Sequence, residues 1–149
     1  MTNDLPADLD VYFEASRFVV KARARTLSQL KEIHPELDYG TFLFFLAICD
    51  APDGIRGSSL AGLFGVHKST ASRAAANLDS MGLIRRATDP QDGRAQRLIA
   101  TSKGAKVVEA LRVEGREWLA SLLSDWSADE LSQFAANLAR VNAAWDKVE

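Results

Sequence analysis

A single cysteine, Cys49, leaves this chain without an intrachain disulfide, which points to a reducing, cytoplasmic compartment. Histidine is almost as scarce. With only His34 and His67, no pair has the spacing of zinc ligands, so no metal is expected. There is no Gly-rich phosphate loop, no nucleophile elbow and no pair of carboxylates on one face, so no cofactor and no enzymatic chemistry are expected. No run of about 18 apolar residues occurs, which excludes a membrane-spanning helix. The first ten residues, MTNDLPADLD, are acidic and lack the basic–apolar pattern of a signal peptide. Internal repeats and low-complexity tracts are absent too.

What is present is globular: 149 residues, 47% of them hydrophobic, enough to bury a proper core. The net charge of −2 looks wrong for a nucleic-acid binder until its distribution is followed. Between Arg56 and Thr101 stand seven bases (Arg56, Lys68, Arg73, Arg85, Arg86, Arg94, Arg97) and three acids (Asp79, Asp89, Asp92). That segment is +4 and the rest of the chain −6. A local basic patch, not the total, is what binds phosphate.

That basic segment, from Ser58 to Thr101, organises the chain. Ser58 or Ser59 is expected to cap a short helix carrying Leu60, Leu63 and Phe64. Gly65 breaks the helix, and Val66 plugs the gap to the next one. A short turn containing Gly is the joint of a helix-turn-helix. The second helix is expected from about His67 to Ser80. At about 100° per residue, Ala71, Ala74, Ala75 and Leu78 fall on one face. Ser69, Thr70, Arg73 and Asn77 fall on the other, with Ser72 among the candidate contacts. Arg bonds a guanine edge, Asn an adenine edge, and Ser or Thr a phosphate or base. Lys68, on the first turn, suits a phosphate.

After Gly82 the period shortens to LIRRAT, DPQDGRA and QRLIAT. Asp89-Pro90 and Asp92-Gly93 are turn chemistry, so two strands and a hairpin are expected. Arg85, Arg86, Arg94 and Arg97 make it a basic wing. Arg85, Arg86 and Arg97 are placed to hold the DNA backbone, and Arg94 at the tip suits a minor groove. Asp92 is expected to steer a neighbouring Arg by ion pairing.

Around this unit the pattern is helical. Leu9, Tyr12, Phe13, Ser16, Val19, Val20, Leu27 and Leu30 mark a helix from Ala7 or Asp8 to about Ile33, ended by Pro35. Asp38 caps a second helix, Tyr39 to about Asp50, whose TFLFFLAIC is apolar nearly all round and therefore central. Cys49 near its end reads as a small core residue. A helix from Ser102 to about Asp125 follows, with Val107, Val108, Leu111, Trp118, Leu119, Leu122 and Leu123 on its buried side. Ser127 to Glu130 is a capping box opening a last helix striped by Leu131, Phe134, Leu138, Val141 and Trp145. The terminal helices carry more apolar surface than a small winged core covers, and a second copy is the simplest partner.

The motifs "LFGVHKSTASR", "LDSMGLIRR", "DPQDGRA" with its Asp92-x-Arg94 pair, and "LIATSKG" resemble the MarR family of winged-helix regulators, in family order and at family spacing. Two positions depart from it. His67 stands where the family has a Ser or Thr cap, and Ala100 where it has Leu. The resemblance implies a mainly α protein with a small β-hairpin wing, a winged helix-turn-helix flanked by long N- and C-terminal dimerisation helices. The expected division is 1–35 for the N-terminal dimerisation helix, 36–101 for the DNA-binding domain and 102–149 for the C-terminal dimerisation helices, in one intertwined unit. The implied function is a ligand-responsive repressor that binds double-stranded DNA as a homodimer on a pseudo-palindromic operator. A winged-helix interaction module without DNA binding is the alternative.

The resemblance also implies a pocket for a small aromatic or weakly acidic effector. Tyr12, Phe13, His34, Phe42, Phe45 and Cys49 are the candidate lining, with ordinary core packing as the competing reading. Peroxide-sensing members carry their reactive Cys near the start of the first helix. This chain has none there, so that property does not carry over.

Overall fold

A computed structural model describes residues 7–147. Its elements run α1 (Ala7–Ile33), α2 (Tyr39–Cys49), β1 (Ile55–Arg56), α3 (Gly57–Leu63), α4 (Lys68–Ser80), β2 (Ile84–Thr88), β3 (Gln96–Ala100), α5 (Ser102–Leu122) and α6 (Ala128–Trp145). The class is the expected one, mainly helical with a small antiparallel sheet. One compact unit runs to Val108 and a second begins at Glu109. No helix among the described residues is long and apolar enough to cross a membrane.

The core lies in the first unit. Leu30 closes α1 onto it, and α2 supplies Phe42, Phe44, Phe45 and Ile48, all buried. Asp38 starts α2 as expected: its carboxylate accepts from Thr41 N at 2.9 Å and from the Thr41 hydroxyl at 2.7 Å, filling an orphan donor of the first turn. Burial pushes the Asp38 carboxyl up, but the hydrogen bonds it accepts, from Thr41 first and then from the Gly40 and Asp38 N–H groups, together leave it below the ordinary carboxylate value. Leu60 and Ala61 from α3, Leu78 from α4, Leu83 just before β2, Ile84 from its start, Leu98 from β3 and Val108 from α5 join them in the core.

Four local expectations are corrected. The cap of α3 is Arg56, so Ser58 and Ser59 lie inside the helix. Formation of β1 pulls the chain into the sheet up to Arg56, and the helix starts where the strand ends. The sheet therefore has three strands, in the order β1-β3-β2, with Ile55 opposite Leu98 and Arg56 opposite Arg97. Leu63 does not face the core; it is exposed, and Phe64 instead stacks on Phe44 with ring centroids 4.7 Å apart. Finally, α5 ends at Leu122, three residues before the expected Asp125, where the turn tightens: Leu123 N is shared between Leu119 O and Ala120 O, and Trp126 N bonds Leu123 O.

In the second unit, Ser127 and Glu130 form the expected capping box: Ser127 N donates to Glu130 Oε2 at 2.8 Å and Glu130 N to Ser127 Oγ at 3.3 Å. The backbone N–H of Ser127 and then its hydroxyl hold the Glu130 carboxyl below its ordinary value. No residue of α6 is buried. The stripe of Leu131, Phe134, Leu138, Val141 and Trp145 is open to solvent, with Trp145 69% exposed. On α5 the only buried positions are Gly104 and Val108, so the expected buried side of that helix is only half-buried at Leu111 and Trp118 and exposed at Leu119 and Leu122.

Candidate nucleic-acid interface

The two HTH helices are α3 and α4. Their turn needs a residue with positive φ, and Gly65 supplies it at +58°. Val66, half-buried, returns the chain by donating its N–H to Ala61 O at 3.0 Å. His67 is the extended N-cap of α4 and makes no side-chain bond to the helix backbone. Its Nδ1 instead lies 3.2 Å from Ser69 Oγ. The helix thus begins one residue later than the spacing predicts.

The two faces of α4 separate cleanly. Ala71, Ala74, Ala75 and Leu78 are buried, and their small side chains let the helix lie close on its neighbours. Lys68, Ser69, Thr70, Ser72, Arg73 and Asn77 are all exposed. No carboxylate occurs from Gly57 to Leu78. Asp79, at the far end, faces Arg86 of β2 at 3.7 Å.

The wing loop is fastened where it leaves β2 by Asp89, which is fully buried. One carboxylate oxygen accepts from Arg56 Nε at 2.6 Å and from Arg97 Nε at 3.0 Å; the other accepts from Gln91 N at 2.8 Å. The Arg56 guanidinium first, then the Gln91 N–H and Arg97, hold this carboxyl far below the ordinary carboxylate range. In return, the bond to Asp89 raises the Arg56 guanidinium above its ordinary value. Past Asp89, the tip is shaped by Asp92, whose Oδ1 accepts from Arg94 N at 3.1 Å. Asp92 thus turns the backbone while its charge also acts on Arg56, and the carboxylate that binds arginines directly is Asp89. Arg94 stands exposed at the tip, and Arg85 and Arg86 are exposed on β2.

Arg97 is tied into the protein by its own hydrogen bonds. Its side chain is only 19% exposed, its Nε is on Asp89 and its Nη1 donates to Asp53 O at 3.1 Å. A charge so placed ties the wing loop and the turn before β1 to β3. Arg56 was not among the expected contacts, yet its side chain keeps 39% exposure at the edge of the basic patch. Nothing in the local pattern announces its pairing with a carboxylate 33 residues away.

The candidate effector residues are dispersed. Tyr12 and Phe13 meet edge to face, 5.6 Å apart, on an exposed stretch of α1. His34 is half-buried just past the end of α1, where its Nδ1 accepts from Glu36 N at 3.2 Å. Phe42 and Phe45 belong to the core, and Cys49 is half-buried. Among the described residues no cluster of three His, Cys, Asp or Glu could hold a metal ion.

Comparison with known proteins adds an independent line. The model of the MarR family matches residues 41–95. The uncharacterized HTH-type transcriptional regulator YybA of Bacillus subtilis (strain 168) is 33% identical over 121 residues, which span 79% of this chain and 80% of YybA. A second uncharacterized HTH-type regulator of that bacterium, YxaD, is 31% identical over 145 residues, 97% of this chain and 99% of YxaD. The crystal structure of the transcriptional regulator SlyA matches with a TM-score of 0.69 and 28% identity, over 94% of this chain and 99% of that one.

Proposed function

The chain belongs to the MarR family of DNA-binding transcriptional regulators, and from that premise we propose that it is a homodimeric, ligand-responsive repressor of a pseudo-palindromic operator. The observation that carries the reading is the division of α4 into a buried alanine face and an exposed face of hydroxyls, Arg73 and Asn77 without a carboxylate before Asp79.

In this reading α4 enters the major groove. Arg73 reads a guanine edge and Asn77 an adenine edge, while Ser69, Thr70 and Ser72 bond bases or adjacent phosphates. Lys68, Arg85 and Arg86 hold the backbone, and Arg94 enters the minor groove. Arg97 acts indirectly, through Asp89, by fixing the hairpin that carries the others. Two copies place two reading helices on half-sites about one helical turn, roughly 10 bp, apart.

The exposed apolar stripe of α6 and the exposed Val11, Tyr12, Phe13 and Val19 of α1 favour a second copy as the partner, since faces of this kind mark association sites. The proposed effector is a small aromatic or weakly acidic molecule. Tyr12, Phe13, His34 and Cys49 retain surface for it, whereas Phe42 and Phe45 contribute only through the core. Such a ligand acts by binding one separation of the reading heads better than another.

A nuclease footprint on duplexes selected by the protein from a random pool tests the arrangement. Two protected half-sites spaced by one helical turn are expected. A single protected half-site, saturated by one chain, would contradict the dimeric reading.

A further inference from the structure

The C-terminal end of α4 is held from outside, by the first residues of α5. A helix leaves its last carbonyls without partners, and a basic side chain in the last turn commonly answers them. The last turn of α4 has no basic residue and carries Asp79 instead. The backbone closes part of the deficit itself: Gly82, at φ +72°, donates to Asp79 O at 2.9 Å and Leu83 N to Leu78 O at 3.0 Å. Just past the helix stand the carbonyls of its C-cap Met81 and of Gly82 and Leu83, which lead into β2.

All three are met from one place. Lys103 Nζ donates to Met81 O at 2.9 Å. The Thr101 hydroxyl donates to Gly82 O at 2.7 Å, with Leu83 O at 3.2 Å, and Thr101 N donates to Leu83 O at 3.0 Å. The same hydroxyl accepts from Gly104 N at 3.0 Å, so one oxygen caps α5 and ties down the exit of α4. Gly104 lets the two backbones touch, because a Cβ there would overlap the Leu83 carbonyl.

We infer that Lys103, with Thr101, is a positioning residue for DNA reading: it supplies the cation that α4 lacks and makes the orientation of α4 follow the first turn of α5. The inference rests on α4 being the reading helix. Its physical content is that α4 and the start of α5 move as one body, so a shift of α5 reorients Arg73 and Asn77 without any contact to them. Lys103 itself is exposed, so its removal leaves the core untouched.

The test compares wild type with Lys103→Met, Lys103→Arg and Thr101→Val. Each is titrated by fluorescence anisotropy against a duplex selected by the wild type and against random duplex, with melting followed by circular dichroism. Lys103→Met should melt close to wild type and lose about tenfold on the selected duplex, the lower range of one base contact, while its random-duplex affinity stays within twofold. Lys103→Arg should restore most of the loss, and Thr101→Val should reproduce it. Equal loss on both duplexes, with a salt slope lower by about 1, would make Lys103 a phosphate contact and overturn the inference, as would no loss at all. A wild type that binds no duplex would overturn the reading of α4, and this inference with it; equal losses on a binding protein overturn only the inference.

Discussion

Arg56 Nε and Asp89 Oδ2, 33 residues apart in sequence, meet at 2.6 Å. The pair joins the strand that leads into α3 to the start of the wing loop, and Arg97 reaches the same oxygen from β3. One buried carboxylate therefore ties β1 and β3 to the start of the wing loop, with two cations around it. A buried charge held this way is costly to break from one side, because the remaining partners are left uncompensated.

Asp89→Asn should therefore lower the thermal midpoint at pH 7. The pH dependence has a definite sign. The folded carboxyl titrates far below the value of about 4 that it has in the unfolded chain, so its contribution is complete above that unfolded value and is lost as pH falls toward the folded one. Between pH 5 and pH 2 the wild type should lose stability more steeply than Asp89→Asn, and the two midpoints should converge. Calorimetry across that range checks it; parallel curves would show that Asp89 makes no such contribution.

Arg73 and Arg97 should separate on mutation although both are arginines of the basic segment. Arg73→Ala should melt like wild type and lose about 1–3 kcal/mol of discrimination between selected and random duplex. Arg97→Ala should lower the melting temperature and weaken both duplexes together, because its partners are Asp89 and the Asp53 carbonyl. An Arg97→Ala protein with unchanged melting would return that side chain to the phosphate backbone.

Asp38→Ala should destabilise the protein by about 1 kcal/mol, within the usual 0.5–2 kcal/mol for a lost N-cap. Asp38→Asn should recover most of it, since an amide oxygen still accepts from Thr41 N. Denaturant titration measures both, and an Asn variant as unstable as the Ala variant would mean that charge, not the cap bond, matters.

On α6, the double substitution Phe134→Glu with Leu138→Glu places charge in the exposed apolar stripe. Light scattering coupled to size exclusion should find a monomer at micromolar concentration. Affinity for a two-half-site duplex should fall by about 100-fold or more as two-site binding is lost. A dimer that survives both changes would move the proposed contact to another face.

The elements were legible where a local signal sets them. Periodicity and Pro35 mark α1, Asp38 marks α2, and the alternation of alanines with polar residues marks α4. The last also exposes the reading face, since a helix that buries Ala71, Ala74, Ala75 and Leu78 must present Ser69, Arg73 and Asn77. Long-range pairings were not legible. Whether Arg97 faces DNA or Asp89 depends on Arg56 and Asp53, more than 40 positions earlier in the chain, and β1 is only two residues long. The role of Lys103 was hidden for the same reason: its partner, Met81 O, is a backbone atom with no side-chain signature.

The most direct measurement is anisotropy of the purified protein on duplex from upstream of its own coding region and on scrambled duplex, across a salt series. The account predicts tighter binding to the native duplex, with log affinity falling linearly and steeply as log salt rises, as phosphate contacts require. Absence of binding to any duplex at low salt would contradict it, and would make the winged helix a protein-interaction module instead.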